Sequence, residues 1–325
     1  MIRLRAQATL TAHGLACDDP ARDVVASAVA ATERPFSVPA HATLMREIFA
    51  DKAPRRLDRL SELAIVAAGA AMRAAKLDAF AAERAGVFFA TGQGNFSGTM
   101  GFLDKLHQKG ARLASPIEFP NLVISAPAGS LSFQFGFKGE VFALNQGRLS
   151  GLHAVCVAAE ALRSRRLDVA LVAGAEEHSV GRTRSAELLN RSEVVLGEGA
   201  AALILDRAPE GEDDGIRVAG VAMNGLGASD GLVSAAKSCL EQAETAGVEL
   251  VVTHPRHTHA LQKFVAQSGA AIVSLCDRVG ELDVRNLIEA AWAAAKIRRG
   301  EARRVLVLDA DEDSGAAAVL LALGR

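Results

Sequence analysis

The strongest constraint on the fold is a series of short apolar runs, separated by polar segments, that recurs along the chain. Because these runs carry few polar residues on either face, they predict strands that are covered on both sides. The runs are residues 86–91, 168–174, 201–206, 216–222, 249–253, 271–275, 305–309 and 316–323. Segments with helical periodicity alternate with them. The sequence therefore predicts an α/β protein with mostly parallel sheets.

Two of the helical segments are clear from their apolar stripes. Residues 150–165 place a continuous stripe on one face, and Ser150 stands where a capping side chain is expected. Residues 283–299 repeat the pattern and end in basic side chains, which favour a helix C-terminus. A polar, turn-forming segment at 208–215 predicts a linker. It divides the chain into two parts, 1–207 and 216–325.

Composition excludes several classes of protein. Half of the 325 residues are hydrophobic but only 4% are aromatic, so the core must consist of small aliphatic side chains in tight layers. The net charge is −2 and no basic patch is interleaved with aromatic residues, which argues against nucleic-acid binding. Neither a membrane span nor a secretion signal is evident. Four scattered cysteines without zinc-ligand spacing predict a reduced, cytoplasmic protein.

Two stretches carry a resemblance to a known family. Residues 119–177, from Phe119-Pro120-Asn121 to Glu176-Glu177, resemble the central stretch of β-ketoacyl synthases, and from Gly139 onward the match has no gap. Residues 197–201 are similar to that family's GEGAG signature. The resemblance implies an α/β, thiolase-like fold. Two similar βαβ-type halves, 1–207 and 216–325, would form one unit layered α-β-α-β-α.

The junction before the helix at 150 is the expected centre of the chemistry. A segment predicted to be buried, Val141–Leu144, leads through a polar turn into the helix start, where backbone N–H groups and the helix dipole stabilise a thiolate and an oxyanion. The resemblance places the catalytic cysteine of active members three residues before Gly151. This chain has Arg148 there, and arginine cannot be acylated by a thioester. Cys156, further along the helix, is predicted to be a core residue.

The other catalytic positions implied by the resemblance are altered too. The first histidine corresponds to His254, the second is replaced by Glu281, and the usual lysine position falls on Cys276. A metal site formed by His254, His257 and His259 is less favoured than a polar loop. No metal and no cofactor are expected, and the glycine-rich loop at 92–95 departs from dinucleotide-binding spacing.

Further departures concern the surroundings of the site. The excursion between Glu177 and Gly197 is shorter than is usual in the family and contains Arg182, Arg184 and Arg191. Near the end of the chain, acidic residues at 310–313 replace the family's glycine-rich gating loop. The acidic spacing there mimics a calcium loop, but Leu320 at its last position excludes an EF-hand.

A cation at a helix N-terminus is unfavourable without a neighbouring anion. Two interpretations of Arg148 stay open at this point. Arg148 forms an ion pair with Glu281 that fills the former active site, or it turns outward to solvent.

Three functions are consistent with this pattern. The first is a non-catalytic subunit, similar to a chain-length factor, that pairs with an active β-ketoacyl synthase in fatty acid, polyketide or polyene biosynthesis. Chain-length factors commonly have glutamine at the nucleophile position, where this chain has Arg148. The second is a divergent acyl-thioester enzyme, a decarboxylase or acyl transferase with a non-cysteine site. The third is a homodimeric acyl-binding scaffold.

The expected partners follow from these alternatives. They are an active ketosynthase subunit or a second copy of the chain, an acyl carrier protein and an acyl chain. An acidic carrier protein would be steered by a basic rim. Two sets of side chains are available for that rim, and the sequence does not choose between them: Arg55, Arg56 and Arg59, or Arg163, Arg165 and Arg166.

Overall fold

A computed structural model describes residues 1–12, 14–17, 38, 41–50, 54, 57–77, 80–188, 195–208, 215–225, 228–312 and 314–324. The strands are β1 (Ile2–Thr11), β2 (Gly14–Cys17), β3 (Ala85–Ala90), β4 (Val141–Leu144), β5 (Val169–Glu176), β6 (Gly199–Arg207), β7 (Ile216–Asn224), β8 (Leu250–Val252), β9 (Ala271–Val273), β10 (Arg304–Asp311) and β11 (Gly315–Leu323). The helices are α1 (His41–Phe49), α2 (Arg59–Ala75), α3 (Phe96–Lys109), α4 (Ala126–Phe135), α5 (Ser150–Arg163), α6 (Val180–Leu188), α7 (Ala228–Gln242), α8 (Thr258–Ser268), α9 (Cys276–Val279) and α10 (Arg285–Arg298).

The strands form two halves with the same internal order. The first half runs β4-β3-β5-β6-β1, and the second, from its outer edge, runs β9-β8-β10-β11-β7. In both, the first three strands are parallel and the last two are antiparallel to their neighbours. The prediction of mostly parallel sheets is therefore wrong. A buried apolar run indicates a strand, but it does not indicate whether that strand is parallel or antiparallel to its neighbours. The short turn between β10 and β11, for example, permits only an antiparallel hairpin.

Helices α5 and α10 lie between the two halves and contact strands of both. Their apolar side chains form the central core cluster. A second cluster lies under α2 and α4 on the outer face of the first half, and a third lies under α7 and α8 on the outer face of the second. The order of layers is therefore α-β-α-β-α, as the resemblance implied.

The halves also meet at the edges of their sheets, where β1 pairs with β7 at Arg3–Arg217 and Leu4–Ile216. Residues 209–214 of the predicted linker lie outside the described residues, so the boundary between 1–207 and 216–325 stays a prediction. The part of the chain that the structure describes has no helix long and apolar enough to cross a bilayer.

Strand β4 differs from its prediction. Val141–Leu144 was expected to be buried, but Val141 and Phe142 are 42% and 43% exposed. The reason is position: β4 ends the strand path and pairs only with β3 among the described strands. An apolar run can belong to an open edge as well as to a covered interior.

The two central helices pack closely at Gly151. A Cβ atom at this position would overlap Oδ1 of Asn286 and approach Cβ of Leu287 to 2.8 Å, both on α10. Glycine therefore lets the first turn of α5 contact the first turn of α10. This contact brings the start of α5 next to residues of the second half.

Candidate functional site

The turn that precedes α5 is held by its own side chains and by α10. Gly147 adopts a left-handed conformation with φ of 51°. The hydroxyl of Ser150 accepts the N–H of Gln146 at 2.9 Å and donates to the carbonyl of Gly147 at 2.6 Å. Leu149, not Ser150, is the residue before the first helical turn, so the prediction that Ser150 caps the helix is wrong. Its hydroxyl closes the turn instead.

Arg148 points into the protein. Its Nη1 lies 3.3 Å from Oε2 and 3.4 Å from Oε1 of Glu281, and its side chain is only 18% exposed. The carbonyl of Arg148 accepts a hydrogen bond of 2.5 Å from Nδ2 of Asn286. The ion pair proposed from the sequence is thus present, and the outward alternative for Arg148 is not observed.

Glu281 is fixed through its backbone as well as its side chain. Its N–H donates to the carbonyl of Val195 at 2.7 Å, and its carbonyl accepts the N–H of Gly197 at 2.9 Å. Its carboxylate also contacts Nη1 of Arg285 at 3.3 Å and Nε2 of His254. Burial raises the pKa of Glu281, but the hydrogen bond from His254 and the charges of Arg285 and Arg148 outweigh it and lower the pKa to about 2.

His254 follows β8, and its Nε2 contacts the carboxylate of Glu281. Burial lowers the pKa of His254, but hydrogen bonds with Cys276 and Glu281 outweigh it and raise the pKa to about 9. Nδ1 of His254 accepts the N–H of Arg256 at 3.1 Å. Protonation of Nδ1 breaks this hydrogen bond, and water can replace the ring nitrogen as acceptor for the Arg256 N–H because Arg256 is exposed.

Arg285 links Glu281 to a fully buried group of charges. Its Nε donates to Glu289 at 3.0 Å and its Nη2 to Asp309 at 2.7 Å. Asp309 also contacts Nε2 of buried His257 at 2.9 Å. Burial lowers the pKa of Arg285, but the carboxylates of Glu289 and Asp309 outweigh it and raise the pKa. This network stabilises a cation in the core by surrounding it with acids.

The three histidines of the less favoured metal site do not come together, because His257 turns toward Asp309 and His259 is exposed. A different group forms around His254. Ligand-type atoms of His254, Cys276 and Glu281 lie within 4.8 Å of one another, and all three side chains are partly exposed. These are residue types that hold zinc, and they are also those of a cysteine nucleophile with its base.

The resemblance had already placed Cys276 on the family's lysine position, but without a role of its own. Sequence reasoning missed Arg285 as a member of the site. A signal for Arg285 existed, since Glu281, Arg285 and Glu289 follow one another at helical spacing of four residues. The prediction that Cys156 is a core residue is confirmed: burial raises the pKa of the Cys156 thiol, and burial raises that of Cys239 to about 12.

A second group of charges lies behind the turn at 92–95. Glu176 is fully buried and accepts hydrogen bonds from the Thr91 hydroxyl at 3.0 Å and from the N–H of Gly92. Burial and the neighbouring Asp283 raise the pKa of Glu176 to about 7. Arg182, from the shortened excursion, is buried nearby and donates to the carbonyl of Glu177 at 2.6 Å. The excursion therefore places at least one of its arginines inside the protein; Arg191 lies outside the described residues.

Some of the other predicted residues take structural roles. Glu198 of the signature at 197–201 is buried and binds Arg59 through Nη2 at 2.6 Å and Nε at 2.9 Å. Arg59 is thus engaged inside the fold, while Arg55 and Arg56 lie outside the described residues. Asp309, which precedes the altered gating loop at 310–313, belongs to the buried network. Asp313, within that loop, lies outside the described residues.

A cavity of about 800 Å³ opens beside the turn that carries Arg148. It is lined by residues of β4, by Gln146, by His153 and Val157 of α5, and by the end of β7. Burial lowers the pKa of His153, and its Nε2 has no hydrogen-bond partner among the described residues. The cavity reaches the exposed edge strand β4, so a ligand bound in it would lie beside this edge of the sheet.

Comparisons with known proteins identify the family of the chain. The family described as "Beta-ketoacyl synthase, N-terminal domain" matches residues 19–211. Nodulation protein E of Rhizobium leguminosarum bv. trifolii is 30% identical over 214 residues, which is 58% of this chain and 53% of that protein. The chain spans about half the length of the curated relatives it matches.

Solved structures share the fold along the full chain. A β-ketoacyl synthase from Burkholderia phymatum STM815 superimposes with a TM-score of 0.81 at 18% identity, covering 100% of this chain and 99% of that one. A ketosynthase in complex with its chain length factor from Xenorhabdus doucetiae superimposes with a TM-score of 0.79 at 14% identity, covering 99% and 98%. These likenesses confirm the predicted thiolase-like α/β fold.

Proposed function

The chain belongs to the β-ketoacyl synthase family, and from this premise we propose that it is a non-condensing subunit that pairs with an active β-ketoacyl synthase in fatty acid, polyketide or polyene biosynthesis. Arg148, His254 and Glu281 are then the altered positions of an active site that no longer condenses acyl groups. An acyl carrier protein and the growing acyl chain are its further partners.

The ion pair between Arg148 and Glu281 carries this proposal. The helix start that would stabilise a thiolate holds a guanidinium instead, and the guanidinium is bound 3.3 Å from a carboxylate. A permanent cation has no electron pair with which to attack a thioester. Condensation through a cysteine at this helix start is therefore excluded by chemistry.

The open edge of β4 supports the pairing. Its exposed side chains, Val141 and Phe142, are apolar, and its outer backbone groups have no strand partner among the described residues. Edge strands of this kind are completed by a strand of another chain. The cavity beside β4 and α5 would then lie at the subunit boundary, where it could receive an acyl chain from the partner's site.

The second candidate is a divergent acyl-thioester enzyme, a decarboxylase or an acyl transferase. The grouping of Cys276 with His254 and Glu281 favours it. Recruitment of Arg148 to hold a malonyl carboxylate is opposed by Glu281, which already occupies that guanidinium. A homodimeric scaffold would use the same β4 edge, so it differs from the leading proposal only in the identity of the partner.

Co-expression with a β-ketoacyl synthase of the same genome that has an intact cysteine and two histidines tests the pairing. We expect a stable heterodimer by native mass spectrometry, and condensation activity that depends on the cysteine of the partner. The protein alone, supplied with acyl and malonyl carrier thioesters, should form no condensation product. A condensation product made by the purified chain alone would contradict the proposal.

A matched pair of edge variants locates the interface. Phe142→Lys places a charge on the exposed edge and should abolish the heterodimer while the chain stays folded. Leu323→Lys is the control, because Leu323 is equally exposed at 40% but lies at the end of β11 in the middle of the strand path. Equal loss of heterodimer formation in both variants would show that β4 is not the interface. If the chain assembles only with a second copy of itself, the homodimeric scaffold is favoured instead.

A further inference from the structure

The group formed by Cys276, His254 and Glu281 has the parts of a nucleophilic site, and it adjoins the start of α5 through the ion pair of Glu281 with Arg148. Cys276 begins α9, His254 follows β8, and Glu281 precedes α10, so three different elements of the second half converge there. The sulfur, a ring nitrogen and a carboxylate oxygen lie within 4.8 Å of one another. Nucleophile, base and orienting acid are the three groups that such catalysis requires.

Cys276 lies in a group that contains several cations. His254 is beside it, and Nη1 of Arg285 contacts Glu281 of the same group at 3.3 Å. Among the described residues, Glu281 is the acid of this group, and its carboxylate is paired with Arg148, Arg285 and His254. The neighbours of Cys276 on α9, Asp277 and Arg278, are exposed. Reactive cysteines lie in partly exposed, electropositive surroundings of this kind.

The other described cysteines provide a contrast within the same chain. Cys156 and Cys239 are buried, and burial raises the pKa of both thiols. Their thiols donate to backbone carbonyl oxygens at 3.4 Å or more. Of these three thiols, only Cys276 has a titratable base beside it.

A metal ion fits this group less well than a covalent reaction does. Glu281 already binds two guanidinium groups at 3.3 Å, and these fixed positive charges would repel a divalent cation. Nδ1 of His254 accepts a backbone N–H, which leaves Nε2 shared between Glu281 and any further partner. A thiolate, in contrast, is attracted by the same charges.

We propose that Cys276 is a nucleophilic thiol that accepts an acyl group from an acyl thioester, with His254 as its proton partner and Glu281 orienting the imidazole. His254 is already protonated at neutral pH, so the thiol proton leaves to solvent and Sγ attacks the thioester carbonyl carbon beside the imidazolium. A new carbon–sulfur bond forms as the bond to the donor's sulfur breaks. The departing thiolate takes the proton of His254, which the imidazole then regains from solvent. No oxidant or cofactor enters this step.

The nucleophilic thiol rests on the geometry alone, whereas the thioester as its substrate rests on the proposed function. An acyl group held at Cys276 would be loaded and released without condensation. This activity is compatible with a subunit that pairs with a condensing enzyme, and it also stands if that pairing fails.

Alkylation tests the nucleophile. The native protein is treated with iodoacetamide at several pH values, and modification of each cysteine is followed by peptide mass spectrometry. We expect Cys276 to react about tenfold faster at pH 7 than it does in the urea-unfolded chain, because only the folded chain places His254 beside its sulfur. Glu281→Gln and His254→Gln should remove this advantage, and Cys239→Ala, the control, should leave it unchanged. A native rate at or below the unfolded rate would overturn the proposal.

Acyl transfer tests the substrate class. Incubation with butyryl-N-acetylcysteamine should add one butyryl group to the peptide that contains Cys276, in a bond cleaved by neutral hydroxylamine. Cys276→Ser should prevent this hydroxylamine-sensitive adduct and still form the heterodimer, which separates failure here from failure of the pairing. Fast alkylation without acylation would overturn the thioester step. One zinc ion bound after dialysis, with protection of Cys276 from alkylation, would overturn the nucleophile in favour of a metal site.

Discussion

The two central helices occupy equivalent places in the two halves, but their buried surfaces are opposite in character. Nearly all buried residues of α5 are apolar or small, and Ser150 is the polar exception. Helix α10 buries Arg285, Asn286 and Glu289 within an equally covered helix. The first half therefore contributes one charged side chain to the site, Arg148, and the second half contributes the network that receives it.

This difference shows how the site is supported. A cation at the start of α5 is unfavourable by itself because the helix dipole opposes it. The acid that compensates it, Glu281, is in turn held by Arg285, whose remaining donors bind Glu289 and Asp309. The stability of Arg148 thus depends on charges that α10 carries into the core. Breaking the network on α10 should have larger effects than disturbing the turn before α5.

The largest effect is expected from Arg285→Met. Removing the guanidinium leaves Glu289 and Asp309 buried without their cation, which should lower the free energy of unfolding by about 3–5 kcal/mol. Urea denaturation followed by circular dichroism measures this change. Arg163→Met, at the exposed end of α5, is the control and should change stability by less than about 0.5 kcal/mol. Equal effects of the two substitutions would contradict the buried network.

Glu281→Gln should lower the free energy of unfolding by about 2 kcal/mol near pH 6, because it removes charge-assisted hydrogen bonds to His254, Arg285 and Arg148. The pKa of Glu281 is lowered from 4.5 to about 2, so its contribution is present above pH 4.5 and lost as pH falls through 2. The pKa of His254 is raised from 6.5 to about 9, so its contribution is present below pH 6.5 and lost as pH rises through 9.

The difference between wild type and Glu281→Gln should therefore be greatest between pH 4.5 and 6.5 and decline toward pH 9. Urea titrations at these pH values measure it. A difference that stays constant up to pH 9 would show that His254 does not titrate against Glu281.

Gly151→Ala tests the contact between the two helices. The new methyl group would overlap Asn286, so we expect a loss of about 1–3 kcal/mol in the free energy of unfolding. Gly101→Ala on α3 is the matched control, because a Cβ there meets no atom within 4 Å. Helix propensity alone should make that variant more stable by up to about 1 kcal/mol. Thermal denaturation of the two variants gives opposite shifts if the close contact exists.

The smallest effect is expected from Ser150→Ala. Loss of the hydroxyl that binds Gln146 and Gly147 should lower the free energy of unfolding by about 1 kcal/mol. Ser164→Ala at the exposed end of α5 is the control, with a change below about 0.5 kcal/mol. If the two serine variants are equally stable in urea, the turn before α5 does not depend on Ser150.

Much of the fold was predictable from local pattern. The apolar runs coincide with strands from β3 to β11, apart from the direction of the strands and the exposure of β4, and the periodic segments coincide with α5 and α10. Strand β1 was missed, because residues 2–11 alternate polar and apolar side chains only in their first part and lie at the chain start. Direction and exposure depend on which strands become neighbours, and a single run does not contain that information.

The candidate site was predictable only in part. Arg148 and Glu281 could be paired because each falls on a position that the family resemblance marks as part of one site. The resemblance placed Cys276 on the family's lysine position without giving it a role, and it did not mark Arg285. His257, expected in a polar loop, is buried against Asp309, because β10 and the segment after β8 are brought together by parallel strand pairing.

The sequence by itself determined the alternation of strands and helices and the absence of a cysteine at the start of α5, since both depend on local residue identity. Only the tertiary structure decided which charges meet. His254, Cys276 and Glu281 belong to separate elements, and their side chains converge because the second half folds its strands beside one another. Electrostatic pairing and nucleophile activation act over a few ångströms, so they are properties of the folded chain and not of any single segment.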